Sequence, residues 1–213
     1  ESGSGGGLGT EKDLKVLTDS RLIIRNGTAG GSGGGFYAKG RALISRSTVT
    51  IQNATAQQHG GGFCAADEVV IDEISSVSIS SSRSGDQGGG FHTDERLQVT
   101  NSSAVSLQNV IAQEYGGGFN ALGEVEIAGN STVSLGTEKD LKVLTDSRLI
   151  IRNGTAGGSG GGFYAKGRAL ISRSTVSIED ATVQQSGGGF YASDEVVIEE
   201  MSSVSISNFQ QSR

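Results

Sequence analysis

The chain has 213 residues, 35 of them Gly, with no Pro or Trp, one Cys and one Met. Apolar residues make up 34%, too thin for a compact globule of this length but enough for a narrow core one or two side chains wide. The net charge of −6 is spread over interspersed acids and bases, so nucleic acid finds no basic stripe; no apolar run reaches the roughly 18 residues of a membrane span, and a lone Cys excludes an internal disulfide.

Glu1–Gly7 read as the tail of a coil, closing on a GGGL that carries Leu8. The tetrapeptide GGGF then recurs with its aromatic residue at Phe36, Phe63, Phe91, Phe119, Phe163 and Phe190. From Leu8 onward the spacings are 28, 27, 28, 28, 44 and 27 residues. A period near 28 suits one turn of a three-sided β-helix, with three short strands and three turns.

Within each coil the Phe and the residue two later share a face, as with Phe36 and Ala38 or Phe63 and Ala65. Next come alternating pairs at Val69 and Ile71, Leu97 and Val99, Val125 and Ile127, and Val196 and Ile198. A third set lies at Val49 and Ile51, Val77 and Ile79, Val105 and Leu107, and Val204 and Ile206. Polar residues separate the members of each pair, the period-2 signature of strands with one face inward. Ten residues before each Phe stands Asn26, Asn53, Ser81, Asn109, Asn153 or Asp180, with Asn208 in register at the end. Asn tolerates left-handed backbone, so this column predicts a tight corner and an amide ladder.

The expected fold is therefore an all-β solenoid, a three-sided parallel β-helix of 27–28-residue coils. Its like-on-like columns include a stack of Phe36, Phe63, Phe91, Phe119, Phe163 and Phe190. Residues 1–213 form a single array. Residues 8–49 recur without change as 135–176, a duplication that solenoids tolerate because each coil touches only its neighbours. The 44-residue interval from Phe119 to Phe163 is too short for two coils. This marks a lost coil side, or a seam between segments, near residues 130–140. Neither end reads as a polar cap, so the chain is expected to belong to a longer array or to stack end to end with its own copies.

GGGFYA at 33–38 and 160–165, with TIQNATA at 50–56 and SLQNVIA at 106–112, resembles the paired motifs of chlamydial polymorphic outer membrane proteins. The resemblance covers almost the whole chain. It implies right-handed parallel β-helix passengers of surface proteins and adhesins, and it carries over no catalytic residue.

The remaining candidates are weak. Asn26, Asn53, Asn101, Asn130 and Asn153 head N-x-[ST] sequons, glycan acceptors in a secreted eukaryotic protein and otherwise ordinary turn residues. The residue after each Phe is expected to point outward, and Tyr37, Tyr164 and Tyr191 there could stack on sugars or on a neighbouring rod. An outward Ser/Thr ridge, with Thr48, Thr50, Ser76 and Ser78 among its members, resembles an ice-binding face but is broken by Arg21, Ile23 and Arg25. His59 and His92 fall in different coils and columns, and with Cys64 they repeat no metal-ligand spacing. The acid pairs Asp67–Glu68, Asp72–Glu73, Glu179–Asp180 and Glu199–Glu200 are spread over turns and strand ends, where solvated charge explains them.

These readings point to a scaffold and not an enzyme: an extracellular or cell-surface fibre, stalk or adhesin segment. No cofactor is expected, and the partners are copies of itself or glycans. The alternatives are a carbohydrate- or ice-binding solenoid and a polysaccharide lyase or hydrolase.

Overall fold

The computed structural model describes residues 5–114, 116–123, 125–127, 132–133, 141–144, 148–152, 155–156, 163–165, 169–180, 182–184, 186–187, 189–192 and 195–211. Every element among them is a β-strand, and all pairings are parallel. The coil that begins at Phe36 illustrates the unit: Phe36–Ala38, Ala42–Ser45, Thr48–Gln52 and Thr55–Ala56. Each strand pairs with its counterparts one coil away, building sheets A, B, C and D around the axis. Sheet A runs from Leu8–Thr10 to Phe119–Ala121, and Phe163–Ala165 pairs separately with Phe190–Ala192. Sheets B and C have eight strands each and sheet D has seven.

The parallel β-solenoid is as expected, but a coil has four strand columns and not three. The fourth is only two residues long, as at Thr28–Ala29 and Thr55–Ala56. No alternation signal can be read from so short a strand, so the sequence presents it as turn. The corner before it is legible. Asn26, Asn53, Ser81, Asn109, Asp180 and Asn208 all have φ between 52° and 57°. Asn53 Nδ2 donates to Asn26 Oδ1 at 3.3 Å, one rung of the expected amide ladder.

The interior is stacked like on like. Phe36, Phe63, Phe91 and Phe119 are fully buried, with successive ring centroids 4.4–4.6 Å apart and planes within 11°. Phe163 pairs in register with Phe190; their side chains lie outside the described residues. The inward pairs of sheets B and C are buried along Val69, Ile71, Leu97 and Val99 and along Val49, Ile51, Val77 and Ile79. In the final coil Val196, Ile198 and Ile206 are 44%, 49% and 40% exposed.

The glycine triplets serve three purposes at one corner. Gly33, Gly60 and Gly88, the first of their triplets, have φ of 65–71°. A Cβ on the second, Gly34, would lie 2.6 Å from Thr55 N in the adjacent coil. A Cβ on the third, Gly35, would lie 2.6 Å from Gly62 O and 2.9 Å from Ile51 Cγ2.

The difference between 27- and 28-residue coils resides in the turn from sheet B to sheet C. Longer coils turn through two left-handed residues: Thr18–Asp19, Glu73–Ile74, Asn101–Ser102 and Glu200–Met201. Shorter coils use one, Arg46 or Arg173. Sheet registers are unchanged by the switch, so one residue is added or removed without moving any inward column.

The irregular stretch near 130–140 lies largely outside the described residues. Around it, Val125–Ile127 pairs in sheet B with Leu141–Leu144, Thr132–Val133 pairs in sheet C with Arg148–Arg152, and Ile111–Ala112 pairs in sheet D with Thr155–Ala156. Between Phe119 and Phe163 the described strands thus include two each in sheets B and C, but one each in A and D.

Candidate functional site

Sheet A is expected to show its outer face to solvent, and at three positions it does not. Cys64, His92 and Asn120, each one residue after a Phe, are at most 2% exposed. The cover comes from the segment leading into each glycine triplet, which lies against the next coil's strand. Ser32 lies beside Cys64, His59 stacks on His92 and Gln87 accepts from Asn120 Nδ2. A residue four before one Phe therefore meets the residue just after the next. Aligning coils column by column keeps these two positions apart, so the sequence alone does not bring His59 and His92 together. Their rings are in fact 4.7 Å apart.

Carboxylates flank this imidazole pair. His92 Nε2 is 2.8 Å from Asp94 Oδ1, and His59 Nδ1 is 3.3 Å from Asp86 Oδ2 without hydrogen-bond alignment. Burial, followed by the neighbouring His92, pushes the His59 pKa down. The hydrogen bond to Asp86 raises that of exposed Glu114. Burial pushes the Cys64 thiol up to about 12, so it is no nucleophile at neutral pH. Among the described residues no group of three or more His, Cys, Asp or Glu is arranged to hold a metal ion.

Of the tyrosine column, Tyr37 and Tyr191 are half-buried, and the Tyr164 side chain lies outside the described residues. Tyr37 opposes Cys64 in register, and burial raises its pKa. Asn26, Asn53 and Asn101 are exposed; Asn130 and Asn153 lie outside the described residues. Asn101 Nδ2 donates to Asp72 Oδ1 at 2.7 Å. The Ser/Thr ridge follows sheet C, with Thr48 and Thr50 half-buried and Ser76 exposed. Arg21, Ile23 and Arg25 interrupt it on the same outer face.

The acid pairs do not converge. Glu68 accepts from Arg96 at the turn from sheet A to sheet B. Asp72 and Glu73, at the turn from B to C, accept from Thr100 and Ser45 of adjacent coils at 2.9 Å. Glu200, at the turn from B to C in the final coil, accepts from Ser172 of the adjacent coil at 3.1 Å.

A serine column was missed. Ser20, Ser47, Ser75, Ser103, Ser174 and Ser202 each stand just before a sheet C strand. Ser47 N donates to Ser75 Oγ at 3.3 Å, Ser75 N to Ser103 Oγ at 3.1 Å and Ser174 N to Ser202 Oγ at 3.2 Å. Each of the buried hydroxyls Ser47, Ser75 and Ser174 donates in turn to a carbonyl near the end of a sheet B strand. The Ser recurs at this position in every coil, but the general abundance of Ser and Thr hides it in the sequence.

A shallow polar groove of about 370 Å³ follows the corner between sheets C and D, lined by Asn53, Thr55, Ser81, Arg83 and Asn109 with Ile111. A second opens at the same corner beside Asp180, Thr182 and Asn208. No described helix is long and apolar enough to cross a membrane. Comparisons with protein-family models, curated proteins and solved structures return no match. The likeness to the chlamydial repeats rests on its motifs.

Proposed function

We propose that this chain is a structural scaffold and not an enzyme, a segment of an extracellular or cell-surface fibre, stalk or adhesin of the kind its motifs resemble. One observation carries the reading: polar side chains form hydrogen bonds from coil to coil along the axis. Ser47 to Ser75, Asn53 to Asn26, Arg96 to Glu68 and Arg41 to Asp13 are all coil-to-coil contacts. Groups so engaged build a rod, and the candidate acids are divided among separate corners. Glycans on exposed Asn26, Asn53 or Asn101 would project from turns and leave the stacked columns intact. Electron microscopy of the extracellular material, with antibody labelling, tests this: labelled elongated rods at the cell surface support it, whereas label confined to compact intracellular particles would sink it.

A carbohydrate-binding solenoid is the second reading. It is favoured by the groove between sheets C and D, where Asn, Thr, Ser and Arg side chains from successive coils face one channel. Glycan-array binding lost in Arg83→Ala would support it, and an array with no signal would remove it.

A further inference from the structure

Sheet B carries an abrupt change of charge between two neighbouring coils. The stretch KGRALISR at 39–46 holds three basic residues and no acid, whereas DEVVIDE at 67–73, one coil on, holds four acids and no base. Their strands Ala42–Ser45 and Val69–Asp72 are adjacent in the sheet, with Leu43 opposite Val70. Ala42, Ile44, Val69 and Ile71 point inward and are fully buried, which leaves Leu43 and Val70 half-buried on the outer face. Lys39 and Arg41 flank this face on the side of sheet A, and Arg46 flanks it on the side of sheet C. Each contacts an acid of an adjacent coil, yet their side chains stay 49–62% exposed. Asp67 and Glu73 are exposed at the same two sides of the next coil. The same step occurs again: KGRALISR recurs at 166–173 and is followed by DEVVIEE at 194–200, with Leu170 opposite Val197.

We propose that the outer face of sheet B is a lateral contact between two copies of this chain, lying side by side and antiparallel. A two-fold axis along the strands, midway between Ala42–Ser45 and Val69–Asp72, reverses the rod axis and keeps the strand direction. Each residue of one strand then meets the residue at the same place on the other strand of the second copy. Leu43 meets Val70, Arg46 meets Glu73, and Lys39 and Arg41 meet Asp67 and Glu68. The contact is isologous, so every pair occurs twice, with an apolar centre inside a charged rim. Rods laid parallel and in register would set bases on bases and acids on acids, so the charges select the antiparallel arrangement. The strands are only four residues long, which makes the face narrow and the association weak. The contact takes its setting, a bundle of rods, from the scaffold reading, but its chemistry stands apart from that reading.

Exchanging the signs tests the contact. Arg46→Glu with Arg173→Glu reverses the basic rim at both steps, and Glu73→Arg with Glu200→Arg reverses the acidic rim. All four positions are exposed, so the far-ultraviolet circular dichroism should not change. Sedimentation equilibrium of the 213-residue chain at high concentration should show self-association in about 0.15 M sodium chloride. That association should weaken towards about 1 M, as the Debye length falls from about 8 to about 3 Å. Each double variant alone should associate at least about tenfold more weakly, because like charges now meet across the two-fold. An equimolar mixture of the two should regain wild-type association, since the acidic rims of one variant meet the basic rims of the other. A wild-type chain monomeric at every concentration, variants that associate like wild type, or a mixture no stronger than either variant would overturn the proposal. Monomeric rods still labelled at the cell surface would leave the scaffold reading standing, whereas an associating chain found only inside cells would leave the contact and remove that reading.

Discussion

Ser75 shows what one side chain contributes to a stacked coil. Its hydroxyl is 1% exposed, accepts from Ser47 N and donates to Ile44 O. Ser75→Ala leaves the buried Ser47 amide without its acceptor, which costs about 1–3 kcal/mol. Chemical denaturation should register that loss, while Ser76→Ala on the exposed face should stay within about 0.5 kcal/mol of wild type. Equal effects would show that the serine ladder contributes nothing. Ile74 presents the opposite case. It is β-branched, 78% exposed and held at φ 60°, a conformation that disfavours it over Asn. Ile74→Asn should stabilise by about 1 kcal/mol, and a lower melting temperature would contradict this. The inward residues were legible because burial on one strand face imposes a period of two. The serine column and the His59–His92 stack were not, since both depend on where a corner of one coil meets its neighbour.

At the scale of the element, the turn from sheet B to sheet C is the adjustable part of the coil. Deleting Ser102 would convert the Asn101–Ser102 turn to the one-residue form seen at Arg46. The chain should retain its strand content by circular dichroism, with Tm lowered by no more than about 4 °C per kcal/mol lost. Deleting Ala54 at the opposite corner should be far worse, because it shifts Thr55–Ala56 and the glycine triplet out of register with both neighbouring coils. Comparable losses from the two deletions would show that the turn is not a slack point. GGGF spacing alone revealed the 27/28 alternation but not where the extra residue sits. Locating it required the backbone, because Thr18–Asp19 and Glu73–Ile74 share no residue type that announces a left-handed pair. The two-residue strands of sheet D escaped notice for a related reason. Ladder bonding to both adjacent coils defines them, and their own sequence carries no periodicity.

For the whole molecule, the covered face of sheet A makes acid sensitivity a property of the rod. His59 has its pKa lowered in the folded state, mainly by burial. The unfolded chain therefore binds more protons below pH 6.5, the ordinary value for His59. Stability should be level above that pH and fall as the pH drops through the lowered pKa. Glu114, raised by Asp86, acts in the opposite direction nearer its own value of 4.5 and is exposed. His59→Gln should flatten the melting temperature between neutral pH and about pH 5 relative to wild type; an unchanged slope would clear His59 of the effect. The exact duplication of 42 residues has a different kind of consequence, for the order of events as the chain folds. The Leu43 coil has two identical suitors in sheet B, its own Leu14–Leu17 and the distant Leu141–Leu144. Contact energy cannot tell them apart, so a chain refolding all at once can loop out the intervening coils and trap itself out of sequence. Synthesis from the N-terminus removes that ambiguity, because the first copy is already paired when the second emerges.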